Sequence, residues 1–217
     1  MTLLNAMIHP RVLTLALTVA WCGVAATARA QAPWSCGPTG DARSADARTL
    51  DLLKNRTEAP GPADIDSRVD LAAIVAPGND RHRWDEHRGA VVIGYVLDVL
   101  PGGVESANCH ARSLARRDTH IEIVLDPAHS DHPNRVIVEV TPRIRAMMAS
   151  RGIDWSTRTL EHDLPGHWVK VTGWLMFDTD HVKQSQNTAA GQPGVWRATA
   201  WEVHPVTGLD IVPAPGH

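Results

Sequence analysis

The chain has 217 residues, 43% of them hydrophobic and 21% charged, with a formal net charge of −3. That is long enough for one ordinary domain and short for two. The mildly acidic balance gives no global attraction for phosphate backbones and disfavours generic nucleic-acid binding.

In chain order, His9, Pro10 and Arg11 form a weakly basic start, and Val12 to Ala26 is an almost unbroken apolar run. Ala28-Arg29-Ala30 then places small residues at the two positions a signal peptidase reads. This is the three-part pattern of a secretory signal over residues 1–30, with cleavage after Ala30. The run is shorter than the roughly 20 residues of a membrane span, so no span is expected once the leader is removed. Cys22 raises a lipid-attachment reading, but Trp21 stands before it where such a signal wants a small residue. The expected mature chain begins at Gln31, loses Arg11 and Arg29, moves from −3 to −5, and is periplasmic or secreted. It keeps two cysteines, Cys36 and Cys109. An even count in an oxidising compartment permits a disulfide, with two free thiols as the alternative.

Residues 31–87 read as an N-terminal extension packed on or linked to the main domain. Ser44 can cap a short helix running to Asn55, with Leu50 and Leu53 on one side. Val69, Leu71, Ala73 and Val75 alternate with Asp70, Ala72 and Ile74, which predicts a strand or extended segment. Asp80 to Arg88 is a charged connector bearing histidines.

From Gly89 the pattern becomes that of strands. The first runs from Gly89 to Leu100, with Gly94 marking a bulge or tight bend. Thr119 to Leu125 and Arg135 to Val140 are the second and third. A helix follows: Thr141 is its N-cap, Pro142 its first residue, and Gly152 lies past its end. Ile144, Met147, Met148 and Arg151 make one face, with Arg145 elsewhere. Trp168 to Phe177 is the fourth strand, Asp178 to Gly194 a long polar loop, and Val195 to His204 the fifth strand, closed by Pro205. The expectation is a mainly β protein: an OB-like five-stranded barrel over 88–212 with one helix between strands 3 and 4, and a tail at 213–217.

Several short stretches carry a resemblance. Asp118-Thr119-His120-Ile121-Glu122, Val138-Glu139-Val140-Thr141-Pro142, and the ending from Trp196-Arg197-Ala198 to Trp201-Glu202-Val203-His204-Pro205-Val206 resemble uncharacterised exported bacterial proteins with an OB-fold-like β-barrel domain. In those proteins a cysteine-containing start precedes the barrel. The resemblance implies fold and export, and brings no activity or catalytic residue with it.

Strand periodicity singles out a polar constellation. His120 and Glu122 share one face of the second strand, with Asp118 on the same side, and Glu202 and His204 share one face of the fifth. If those faces meet, His120, Glu122, Glu202 and His204 form an N/O metal site suited to zinc or another divalent transition metal. A metal-bound water could then hydrolyse an ester. The plainer reading is a solvated outer face with cross-strand pairs, and no HExxH, CxxC or clustered Asp motif is present. Cys109 and His110 are adjacent, which is poor geometry for a nucleophile and its base; His120 could reach the thiol from the next strand, but export favours oxidation of that thiol. Seven tryptophans follow the leader, against one Tyr and one Phe in the whole chain. They suit core packing or a stacking platform for sugars or bases. Arg143, Arg145, Arg151 and Arg158, with Arg112, Arg116 and Arg117, are either an anion site or solvated charge. The function expected is an exported OB-like binding or interaction module, its ligand carbohydrate or peptide in preference to nucleic acid. A metal-dependent hydrolase and a nucleic-acid-binding OB module are the alternatives.

Overall fold

The computed structural model describes residues 35–216; the signal segment 1–30 and its cleavage after Ala30 lie outside them. Among the described residues no helix is long and apolar enough to cross a membrane.

The strands β1 (Gly89–Pro101), β2 (Thr119–Val124), β3 (Val136–Val140), β4 (Trp168–Phe177) and β5 (Trp201–Val212) close a barrel in the order β1-β2-β3-β5-β4. All neighbours are antiparallel except β3 and β5, which pair in parallel through Ile137 with Glu202 and Val138 with Val203. This is the OB-like barrel expected from the spacing of strands and helix. Its interior is filled by alternate residues, among them Val92, Ile121, Ile123, Val138, Val171 and Val203.

β1 serves two partners by bending. Gly89 to Tyr95 pair with β4, Tyr95 to Pro101 pair with β2, and the register shifts between Val96 and Asp98. Gly94 sits at the bend because nothing larger fits: a Cβ there would lie 2.8 Å from Leu71 Cδ2 and 3.0 Å from Ile123 Cδ1. Gly173 in β4 is equally enclosed, its missing Cβ facing the Pro205 carbonyl and, at 2.6 Å, Val203 Cγ1.

The helices begin and end where their local signals stand. Ser44 accepts a hydrogen bond from the Ala47 amide to open α1 (Ala45–Lys54). Thr141 accepts from Ile144 N at the start of α3 (Pro142–Ser150). At its far end Gly152 takes a positive φ of 78°, with Gly152 N donating to Ala149 O and Ile153 N to Met148 O. That pair of bonds satisfies carbonyls the helix itself leaves open. A second short helix, α4 (Thr157–Asp163), capped by Ser156, follows before β4. Ile144 and Leu160 carry these helices into the core.

Three expectations are corrected. Residues 69–75 do not form a strand: Leu71–Val75 is helix, here α2, because Asp70 accepts from Ala73 N and Leu71 and Ile74 then face the core together. The fifth strand neither begins at Val195 nor ends at His204. It begins at Trp201 and runs through Pro205 to Val212. Proline is tolerated there because the ladder to β4 is irregular between Thr172 and Leu175, so the missing N–H breaks no regular bond. Finally, Arg145 is buried, where its Nη1 donates to Thr119 Oγ1 (2.6 Å) and Thr157 Oγ1 (3.2 Å).

Candidate functional site

The outer face of β2, β3 and β5 is covered by the chain's own segments. Parity puts Ile121, Ile123, Val136, Val138, Trp201 and Val203 in the core, and sends His120, Glu122, Glu139, Glu202 and His204 outward. Outward here does not mean into water: Glu122, Glu139, Glu202 and His204 are buried, the last completely. One cover is α1, which turns Asp51 and Lys54 inward and leaves Leu52 exposed, the reverse of an ordinary amphipathic helix. Another is the β1–β2 loop, held to α1 by Ser106 Oγ donating to Asp51 Oδ1 and tied to the start of the described chain by a Cys36–Cys109 disulfide. The third is the 178–200 segment, which carries the short helix α5 (Gln186–Ala189) and is pinned by backbone bonds from Gln186 N to Arg197 O and Asn187 N to Ala198 O.

The four residues predicted as metal ligands do share this face, but not one centre. Glu122 accepts from Arg135 Nη1 (2.5 Å) and Glu202 from Arg197 Nη1 (2.7 Å), so each carboxylate is already matched by a guanidinium. His120 Nδ1 lies 2.9 Å from Glu139 Oε1, and His204 Nδ1 lies 3.2 Å from Glu202 Oε2. Among the described residues, potential ligand atoms gather instead in two trios, Asp118–Glu139–His204 and Asp178–His181–Glu202. Asp118 and Glu139 were visible by strand parity. Lys54, Asp178, His181 and Arg197 were not, and only the polar i, i+3, i+4 stripe of Asp51, Lys54 and Asn55 at the end of α1 signals such a buried face.

The charges on this face are set by burial and by each other. Burial disfavours the Lys54 ammonium, but Asp178 (3.4 Å), Glu105 (2.7 Å) and the nearby Glu202 and Glu139 outweigh it and raise its pKa well above the usual value. Burial likewise works against the Glu202 carboxylate, and Arg197 with His204 overcomes it, holding Glu202 at about 2. At His204 burial lowers the pKa, while Glu202, Glu139 and Asp118 push it up to about 9. Glu139 is raised well above the carboxylate range, chiefly by burial. His120 is lowered, again chiefly by burial.

His181 and Asp178 give a pH-dependent tie for the 178–200 segment. His181 Nδ1 lies 3.2 Å from Asp178 Oδ2. Burial opposes the charge on His181, but Asp178 outweighs it and raises the imidazole above 6.5; burial also opposes the Asp178 charge, yet His181 and Lys54 hold it far below 3.8. A raised histidine contributes fully below its unfolded value and loses that contribution as pH rises through its folded value. A depressed aspartate contributes above its unfolded value. The pair is therefore strongest between about pH 4 and 6.5. His181→Gln is expected to cost about 1 kcal/mol at pH 5.5 and less at pH 8.5. Thermal unfolding of both proteins at the two pH values checks this, and an equal gap at both would exclude it.

Three of the arginines noted in the sequence, Arg117, Arg143 and Arg145, act as internal staples, while Arg112, Arg116, Arg151 and Arg158 are exposed. Arg143 donates to Asn55 Oδ1 and to the Cys36 and Gly37 carbonyls, and Arg117 Nε donates to Gly102 O. Four of the tryptophans are similarly engaged. Trp174 donates to Glu58 O under the Arg56 guanidinium, Trp168 meets Tyr95 edge-on, and Trp196 lies against His120. Trp201 is buried and donates to the carbonyl of Asp80. Beside Trp201 a groove of about 490 Å³ opens between the 81–87 segment and the end of β4. Trp84, Phe177 and Trp201 supply its aromatic lining, and Arg81, His82, Asp85, Glu86, His87 and Thr179 the polar part. His82 holds a left-handed backbone, φ 59°, at this groove. Comparison with protein-family models, with curated proteins and with solved structures finds no match, so the chemistry of these sites rests on their geometry.

Proposed function

We propose that this protein is an exported binding module whose ligand is a neutral carbohydrate taken up in the groove beside Trp201. The observation that carries the reading is the lining of that groove: the part-exposed rings of Trp84 and Phe177, backed by the buried Trp201, with hydrogen-bonding groups of both charge signs around them. A sugar ring offers apolar C–H surface to an indole and hydroxyls to a mixed set of donors and acceptors. A nucleic-acid strand would call instead for a groove of one positive sign. OB barrels ordinarily use the face of strands 2 and 3 with the flanking loops. Here those loops and α1 fill that face, which supports moving the ligand to the neighbouring groove. Export is supported by the leader pattern and by the Cys36–Cys109 bond, since disulfides persist in oxidising compartments. The enclosure of Glu122, Glu202 and His204 speaks against the hydrolase alternative, because a catalytic metal keeps a coordination position open to substrate.

Tryptophan fluorescence titration with soluble glucose and N-acetylglucosamine oligomers tests the reading. Saturable binding with Kd of about 10 µM to 1 mM is expected, insensitive to salt because the ligand is uncharged. Trp84→Ala should weaken it about tenfold or more. Absence of saturation with every neutral oligomer, or equal binding by Trp84→Ala, would overturn it. Steeply salt-dependent binding to a single-stranded oligonucleotide would instead favour the nucleic-acid module.

A further inference from the structure

Three enclosed side chains on the outer barrel face each keep one polar atom that no described residue satisfies: Oδ1 of Asp118, Oε2 of Glu139 and Nε2 of His204. Buried polar atoms are nearly always paired, so three neighbouring exceptions require an explanation. The three residues come from different segments: the β1–β2 loop, β3 and β5. Each offers a ligand atom within 4.8 Å of the others.

The other polar atom of each side chain is already held. Asn108 Nδ2 donates to Asp118 Oδ2 (2.9 Å). His120 Nδ1 lies 2.9 Å from Glu139 Oε1. His204 Nδ1 lies 3.2 Å from Glu202 Oε2. Glu139 Oε2 is also 3.6 Å from His204 Nδ1, too far for a hydrogen bond. Metal-bound histidines and carboxylates are held in this way: one atom faces the ion and the other is fixed by a neighbour that orients it. With Nδ1 donating to Glu202, Nε2 is the atom left for the ion, and a metal binding there displaces its proton. The second trio differs, since Asp178 is matched by Lys54 and Glu202 by Arg197.

We propose that Asp118, Glu139 and His204 bind one divalent transition-metal cation, zinc or a close relative, as a structural clamp. One imidazole and two carboxylates suit such an ion, and the carboxylates, deprotonated as the metal binds, balance its charge in a buried setting. Ligand atoms of zinc stand about 2.0–2.2 Å from the ion, so a small closure of the trio forms the site. The ion would join β3 to β5 across the parallel seam that closes the barrel, where the register covers two residue pairs. The ligands are enclosed, Asp118 at 2% exposure and His204 at 0%, so the role is structural and not hydrolytic. This site is independent of the carbohydrate groove, and either proposal can fail alone.

The test uses the full chain with zinc chloride as probe. Elemental analysis and calorimetric titration should give one zinc per chain, and chelation should lower the Tm. Asp118→Asn and His204→Gln should each weaken zinc binding about 100-fold or more, and Asn108→Ala, which removes only an orienting partner, about 10-fold. Removing the surface imidazoles with His129→Gln and His162→Gln should change nothing. X-ray absorption at the zinc edge of the wild-type protein should show a single imidazole among oxygen ligands, a readout that does not depend on any variant folding. Two or more imidazoles, zinc binding unchanged in Asp118→Asn, or no binding at 100-fold excess zinc would each overturn the proposal.

Discussion

Replacing Arg197 by methionine should lower the unfolding free energy by about 3–5 kcal/mol, the usual cost of breaking a buried ion pair from one side. Arg197 is completely buried, donates from Nη1 to Glu202 Oε1 and from Nε to Thr199 O, and lies over the Trp196 ring. Removing it strands the Glu202 carboxylate, which Arg197 does most to keep ionised against burial. Urea denaturation measures the loss. Replacing both partners, Arg197→Met with Glu202→Leu, should recover much of it, because an apolar pair leaves no unmatched charge. A single-variant loss under about 1 kcal/mol would mean that water reaches this face.

The second large effect concerns the disulfide. Cys36 and Cys109 are 73 residues apart. On the chain-entropy model, closing a loop of that length stabilises by about 4 kcal/mol. Cys36→Ser with Cys109→Ser should therefore lose roughly that amount in chemical denaturation under non-reducing conditions. The loss should be sharpest at the segment before α1 and at the β1–β2 loop. Asp41 N donates to Ser106 O there, and Cys109 and His110 both hold left-handed backbones at φ 50°. Hydrogen exchange should show protection falling first in these two segments. A loss within about 1 kcal/mol of zero would show that the remaining hydrogen bonds, such as Asn55 Nδ2 to the Pro38 and Ala107 carbonyls, hold the segment without the bond.

The features legible in the sequence are those whose cause is local. Ser44, Thr141, Pro142 and Gly152 mark helix ends because each acts on a backbone group within a few residues. The first four strands were legible because alternation and Gly/Pro punctuation are local too. Residues 69–75 were misread because a short apolar run fits both a period of 2 and a turn of helix, and the Asp70 cap decides between them. β5 was misplaced because its ends depend on its partners: β4 supplies the irregular ladder that accommodates Pro205, and Asp80, from far back in the chain, receives Thr199 Oγ1 and Ala200 N just before the strand starts.

The sequence by itself determined that His120, Glu122, Glu139, Glu202 and His204 stand on one side of their strands, since side-chain parity is a property of the extended backbone. It also supplied the pair of cysteines, though not their bond. Only the tertiary structure decided whether that side meets water. α1, the β1–β2 loop and the 178–200 segment fold over it from distant parts of the chain and convert an ordinary polar surface into a buried one. Once covered, each charge needs a partner. Arg197, Lys54 and Arg135 meet some of that need, and the atoms left over at Asp118, Glu139 and His204 mark the place for a cation.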